Sequence, residues 1–106
     1  MSTTDPVPIV TNNRDEHRYE VKINEQLAVL TYKQQAGRIV FLHTGVPPAL
    51  EGRGIASQLA SFALENALAQ HLTVVPLCPF VASYIRRHQE YLPLLTEAEQ
   101  ARLLEG

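Results

Sequence analysis

Cysteine is almost absent from this chain. Cys78 is the single one in 106 residues, which excludes an internal disulfide and a multi-cysteine zinc site. His17 and His71 have no partner pattern for metal ligation, so no metal is implied. Surplus charge of one sign is missing too: nine Lys and Arg against eleven Asp and Glu leave a net charge of −2. The basic residues are scattered, apart from the Arg86-Arg87 pair, whereas binding to a phosphate backbone needs a basic patch or stripe. Nucleic acid is therefore not expected as a partner. No apolar run approaches the roughly 18 residues of a membrane span, and no membrane partner is expected. The first residues, Met1 to Pro6, carry neither a basic leader nor an apolar one. The expected address is the cytoplasm. The length implies one domain and excludes a barrel of about 250 residues or a two-domain enzyme.

What is present reads as an ordinary small globular domain, 45% hydrophobic. Residues 1–15 are polar, hold Pro6 and Pro8 and show no apolar period; they are expected to be a flexible lead-in to a single domain over 16–106. Tyr19, Val21 and Ile23 alternate with polar residues, the pattern of a half-buried strand. A turn at Asn24-Glu25-Gln26 leads to a second strand, Leu27 to Lys33. A turn at Gln35-Ala36-Gly37 leads to a third, Arg38 to Val46. The run Ile39-Val40-Phe41-Leu42 suggests that both faces of that strand are covered. Pro47-Pro48 ends it.

A helix is expected from about Gly54 to Gln70, with Ile55, Leu59 and Phe62 at helical spacing beside a stripe of alanines. Thr73 to Leu77 reads as a short buried strand. Strand, helix and strand of these lengths imply a parallel pair with a right-handed crossover. Pro79 suits the first turn of a short helix, Val81 to His88. Thr96-Glu97-Ala98-Glu99 has capping-box spacing and opens a last helix.

The chemistry concentrates where the third strand meets the long helix. Gly52 and Gly54 allow close backbone approach. The helix then opens on small residues, Ile55-Ala56-Ser57. The first N–H groups of a helix lack internal partners, and the dipole adds about half a positive charge there. Such a terminus suits a phosphate or pyrophosphate; a plain turn with a helix cap has the same local pattern. The segment is not a Walker loop, having no Gly-Lys-Ser/Thr, and it lacks the Gly-x-Gly-x-x-Gly of a dinucleotide fold.

Glu51-Gly52-Arg53-Gly54-Ile55-Ala56 resembles the acyl-CoA pyrophosphate loop of the GNAT superfamily of N-acetyltransferases, Arg/Gln-x-x-Gly-x-Gly/Ala. Three blocks in order resemble a small GNAT-like family of about this length. They are His43-Thr44-Gly45-Val46-Pro47-Pro48, Glu51 to Ala56, and Val75-Pro76-Leu77-Cys78-Pro79-Phe80-Val81-Ala82-Ser83-Tyr84-Ile85. The likeness spans about Tyr19 to Leu94. Glu51 stands where most of the superfamily has Arg or Gln, and Gly45 where the small family usually has Glu. Gln89 replaces the proline of its His-Pro-Glu-Tyr ending. The helical section that usually separates the first two strands has no room in Asn24–Gln26.

The resemblance implies an α+β, minimal GNAT-like acyl-CoA N-acyltransferase fold: a mostly antiparallel sheet with one parallel β-α-β unit and helices on both faces. It implies acetyl-CoA as cosubstrate and transfer of the acetyl group to an amine, on a small molecule or an exposed protein. The alternative is a non-catalytic acyl-CoA-binding or regulatory interaction module. Backbone N–H groups around Arg53, Gly54, Ile55, Ala56 and Ser57 would hold the pyrophosphate, with Glu51 and Gly52 also in the cofactor-binding loop. Thr44 and Val46 would pair with the pantetheine arm. Cys78 would be an acetyl-accepting nucleophile, a wall of the acyl pocket, or an inert buried thiol. His43, whose ordinary pKa is near 6.5, would be a general base or a pocket-wall histidine on the face of Ile39 and Phe41. Tyr84 would protonate the leaving thiolate or pack against the sheet. His88 and Arg86-Arg87 would meet the 3′-phosphate or form a solvated helix end.

Overall fold

The computed structural model describes residues 9–105. The part of the expected lead-in at residues 1–8 lies outside them. Five strands form one sheet in the order β1-β2-β3-β4-β5: Val10–Asn13, Arg18–Ile23, Gln26–Gln35, Arg38–Gly45 and Thr73–Pro76. The first four are antiparallel neighbours, and β4 pairs with β5 in parallel. Three helices, α1 (Ile55–Ala69), α2 (Pro79–Arg87) and α3 (Glu97–Glu105), complete the fold, with 3-10 turns at Pro48–Leu50 and Gln89–Leu94.

The local chemistry places these elements. Ala36 and Gly37 both have positive φ, 54° and 77°, the backbone of a two-residue turn whose twist matches the flanking strands. In β2, Tyr19, Val21 and Ile23 are buried while Lys22 is exposed. Leu59, Ala60, Ala63, Leu64 and Ala67 press α1 onto the sheet. The Tyr19 hydroxyl donates to Asn66 Oδ1 of α1 across 3.1 Å. The α+β class and the single parallel β-α-β unit stand as expected.

Three details differ. Val10–Asn13, inside the expected lead-in, form an edge strand paired with β2. Their sequence gives no alternating signal, but Tyr32 donates a 2.6 Å hydrogen bond to Asn12 Oδ1 and anchors the segment. Helices on both faces were expected, yet burial alternates along β2, β3, β4 and β5 alike. One face is covered; on the other, Leu42 and Leu77 are exposed, so the apolar run of β4 does not signal a strand covered twice. Phe62 completes the expected apolar stripe but stays exposed, its ring edge-on to Tyr19.

Candidate functional site

The β4–β5 ladder ends at the pair Phe41↔Pro76, although β4 continues to Gly45. Cys78 then donates its backbone N–H to the Phe41 carbonyl over 2.8 Å and turns the chain into α2. Beyond that point β4 has no ladder partner on its β5 side, and the ladder opens there. Pro76 helps end the ladder, since proline has no N–H to give.

One extra residue in β4 decides what faces this opening. Tyr32 pairs with Phe41 and Thr31 with His43, so Leu42 has no partner of its own. Such a bulge reverses the alternation of side chains beyond it. Phe41 shares the covered face with Tyr32, but His43 lies on the bare face with Thr31, and Thr44 joins Leu30 on the covered face. This corrects the expectation that His43 shares a face with Ile39 and Phe41. His43 is exposed. A side chain on Gly45 would begin 3.4 Å from its Nε2.

Thr44 is turned inward instead, with its Oγ1 3.1 Å from Cys78 Sγ. Cys78 is 1% exposed and sits at the N-cap of α2, with Pro79 in the first turn. The structure therefore joins Thr44 to Cys78 and separates both from His43. Tyr84 lies farther along α2. Its ring stacks on His88 at 4.0 Å, and the Arg87 guanidinium lies over it at 5.9 Å. Its backbone carbonyl meets His88 Nδ1 at 3.0 Å.

The glycine loop borders a pocket of about 210 Å³. Val46, Glu51, Gly52, Gly54, Ile55, Ala56 and Ser57 all line it, so most of the expected cofactor residues come together. Arg53 is exposed outside the lining. Leu50 and Phe80 also line it; the sequence reading missed both, and the position of Phe80 in the first turn of α2 was the available signal. Gly54 caps α1 in the left-handed region, φ 74°, with no side-chain cap and no acidic residue in the first turn. The first intrahelical bond runs from Gln58 N–H to the Gly54 carbonyl. The N–H groups of Ile55, Ala56 and Ser57 precede it and point out of the helix end. Gly52 has φ 83°, and the space where a side chain would start at Gly52 or Gly54 is open. A pyrophosphate fits these donors: they are uncapped, have no acidic residue in the first turn of α1 and are flanked by small residues, while Glu51 is the one acid on the pocket lining.

Elsewhere the titrating groups serve packing. Burial pushes the Tyr19 phenol up to about 12, and burial with the Glu65 carboxylate does the same for Tyr91. Hydrogen bonds from Arg18, then Asn13, hold the Glu20 carboxyl below its usual value. Among the described residues no cluster of His, Cys, Asp and Glu could hold a metal ion, and no helix is long and apolar enough to cross a membrane.

Residues 18–94 match the family model of the GCN5-related N-acetyltransferases. Protein NATD1 of Mus musculus is 35% identical over 82 residues, covering 74% of each chain. Protein NATD1 of Homo sapiens is likewise 35% identical, covering 74% of this chain and 73% of its own. The Danio rerio protein is 28% identical over 88 residues, covering 78% of this chain and 80% of its own.

Proposed function

The chain belongs to the GCN5-related N-acetyltransferase family, and from that premise we propose that it transfers the acetyl group of acetyl-CoA to an amine. The observation that carries this reading is the uncapped α1 terminus with the pocket it borders. Val46 lines that pocket, two residues beyond Thr44 and its contact with Cys78.

Acetyl-CoA would supply an activated acetyl thioester. The N–H groups of Ile55, Ala56 and Ser57 hold the pyrophosphate in this scheme. The β5-side edge of Thr44 to Val46 aligns the pantetheine arm. Thr44 and Cys78 form the inner wall of the acyl end. Their mutual contact and the burial of Cys78 favour direct attack by the amine over an acetyl-cysteine step. His43, exposed on the bare side of the opening, accepts the proton that the amine loses. The balance is one C–N bond formed, one C–S bond broken, and one proton passed from the amine to the CoA sulfur. A site this open suits an exposed protein amine or a range of small amines. A cytoplasmic setting, where a lone thiol stays reduced, belongs to the same proposal.

A second reading, an acyl-CoA-binding module without turnover, is favoured by one observation. Position 45 is glycine, and His43 lies on the face opposite Cys78. Calorimetry with acetyl-CoA tests both; no heat at millimolar ligand overturns them together. Thiol release over an amine panel then separates them. Turnover above buffer that falls in His43→Ala supports transfer, and a rate equal to buffer supports the module. Intact mass after acetyl-CoA exposure tests the covalent route: an adduct lost in Cys78→Ala would replace direct attack. Tyr84→Phe tests whether that hydroxyl serves the leaving sulfur.

A further inference from the structure

The bare face of the sheet carries a composition that acetyl transfer does not account for. The pairing register puts Val40 beside Lys33 on one side and Val75 on the other, and pairs Gln35 with Arg38. With Leu42 and Leu77 these residues line a shallow groove of about 360 Å³. Leu42 is 43% exposed and Leu77 54%. Lys33 and Arg38 are the charged residues of that lining, and neither is in an ion pair among the described residues.

The asymmetry extends across the sheet. Arg18, Lys22, Lys33 and Arg38 share this face by register, against the single acid Glu20. Glu20 is already bonded to Arg18 at 2.6 Å and to Asn13 at 2.9 Å. Yet the whole chain is net negative. A positive aliphatic face on an acidic protein is not explained by solubility, and contiguous apolar surface marks interaction sites.

We propose that the bare face formed by β3, β4 and β5 docks an acidic polypeptide segment whose aliphatic side chains fill the groove between Val40, Leu42, Val75 and Leu77 while its carboxylates meet Lys33 and Arg38. Charge complementarity selects the sign of the partner. The aliphatic centre selects a polypeptide over a nucleic acid, because it offers no aromatic platform for bases. The proposal is independent of acetyl transfer, and its test is run without acetyl-CoA.

The experiment is a titration of the full-length, nitrogen-labelled chain, followed by amide chemical shifts. The probe is a short synthetic peptide alternating glutamate and leucine. Shifts are expected at Lys33, Arg38, Val40, Leu42, Val75 and Leu77, with the α1 terminus unmoved. Affinity should fall with salt and drop about tenfold in Lys33→Glu/Arg38→Glu. The milder Lys33→Gln/Arg38→Gln pair, checked for an unchanged Tm, should weaken binding in the same direction. No shifts at millimolar peptide overturn the proposal. So does equal binding of a lysine–leucine peptide, or tighter binding of single-stranded DNA or phosphatidylserine vesicles at these residues. Concentration-dependent broadening of the same amides in the protein alone would assign the face to a second copy instead.

Discussion

On the covered face of the sheet, Phe41, Leu30 and Val74 are fully buried beneath α1 and α2. On the other face of the same strands, Leu42 and Leu77 meet solvent beside Lys33 and Arg38. The strands have one hydrogen-bonded backbone, so the difference lies in what each face was given to pack against. The covered face holds the fold together and anchors the two helix ends that line the glycine-loop pocket. The bare face contributes little to stability and is free to carry recognition. Cys78 and His43 fall on either side of this division although both stand at the same end of the sheet.

The hardest test of the contrast is a pair of truncations in neighbouring residues. Phe41→Ala should cost about 3–5 kcal/mol in urea unfolding, and Leu42→Ala should stay within about 0.5 kcal/mol. Similar losses at the two positions would remove the distinction between the faces. Gly54→Ala comes next. Nothing crowds the new methyl, so its cost is that of a left-handed backbone, about 1–2 kcal/mol. Gly54→Asn should recover part of that loss, because asparagine tolerates this region better.

The smallest effects are in pH dependence, and they divide in the same way. Tyr91, on the covered side, has a phenol raised to about 12 by burial and by its 2.6 Å bond to Glu65. Its stabilising contribution is complete below the ordinary tyrosine value near 10 and is lost as pH rises toward 12, a range Tyr19 shares. Tyr91→Phe should cost about 1 kcal/mol at neutral pH and make the alkaline loss shallower. Glu20, on the bare face, has a lowered carboxyl. Its contribution is present above the ordinary glutamate value and is lost as pH falls through the lowered one. Glu20→Gln should flatten only the acid limb, by less than Tyr91→Phe changes the alkaline one. Urea midpoints across the pH range read both.

Much of this was written in local chemistry. Gly52 and Gly54 announced a loop of close backbone approach before a helix, and α1 begins one residue after Gly54. Ala36-Gly37 turned as a hairpin, and Pro79 opened α2. Residues 51–57, apart from Arg53, line one pocket because a loop and the helix it starts are contiguous in the chain. What escaped the sequence depended on partners distant along it. Val10–Asn13 became a strand through β2 and through Tyr32. Phe80 reached the pocket only because α2 packs beside α1.

The sequence by itself determined the order of strands and helices from β2 onward and the parallel β-α-β unit. Each follows from backbone preferences and hydrophobic period within a few residues. The tertiary structure alone decided which way the site residues face. A single unpaired residue, Leu42, shifts the register of β4 against β3, and because strand side chains alternate with a period of two, that one slip turns Thr44 toward Cys78 and His43 away from it.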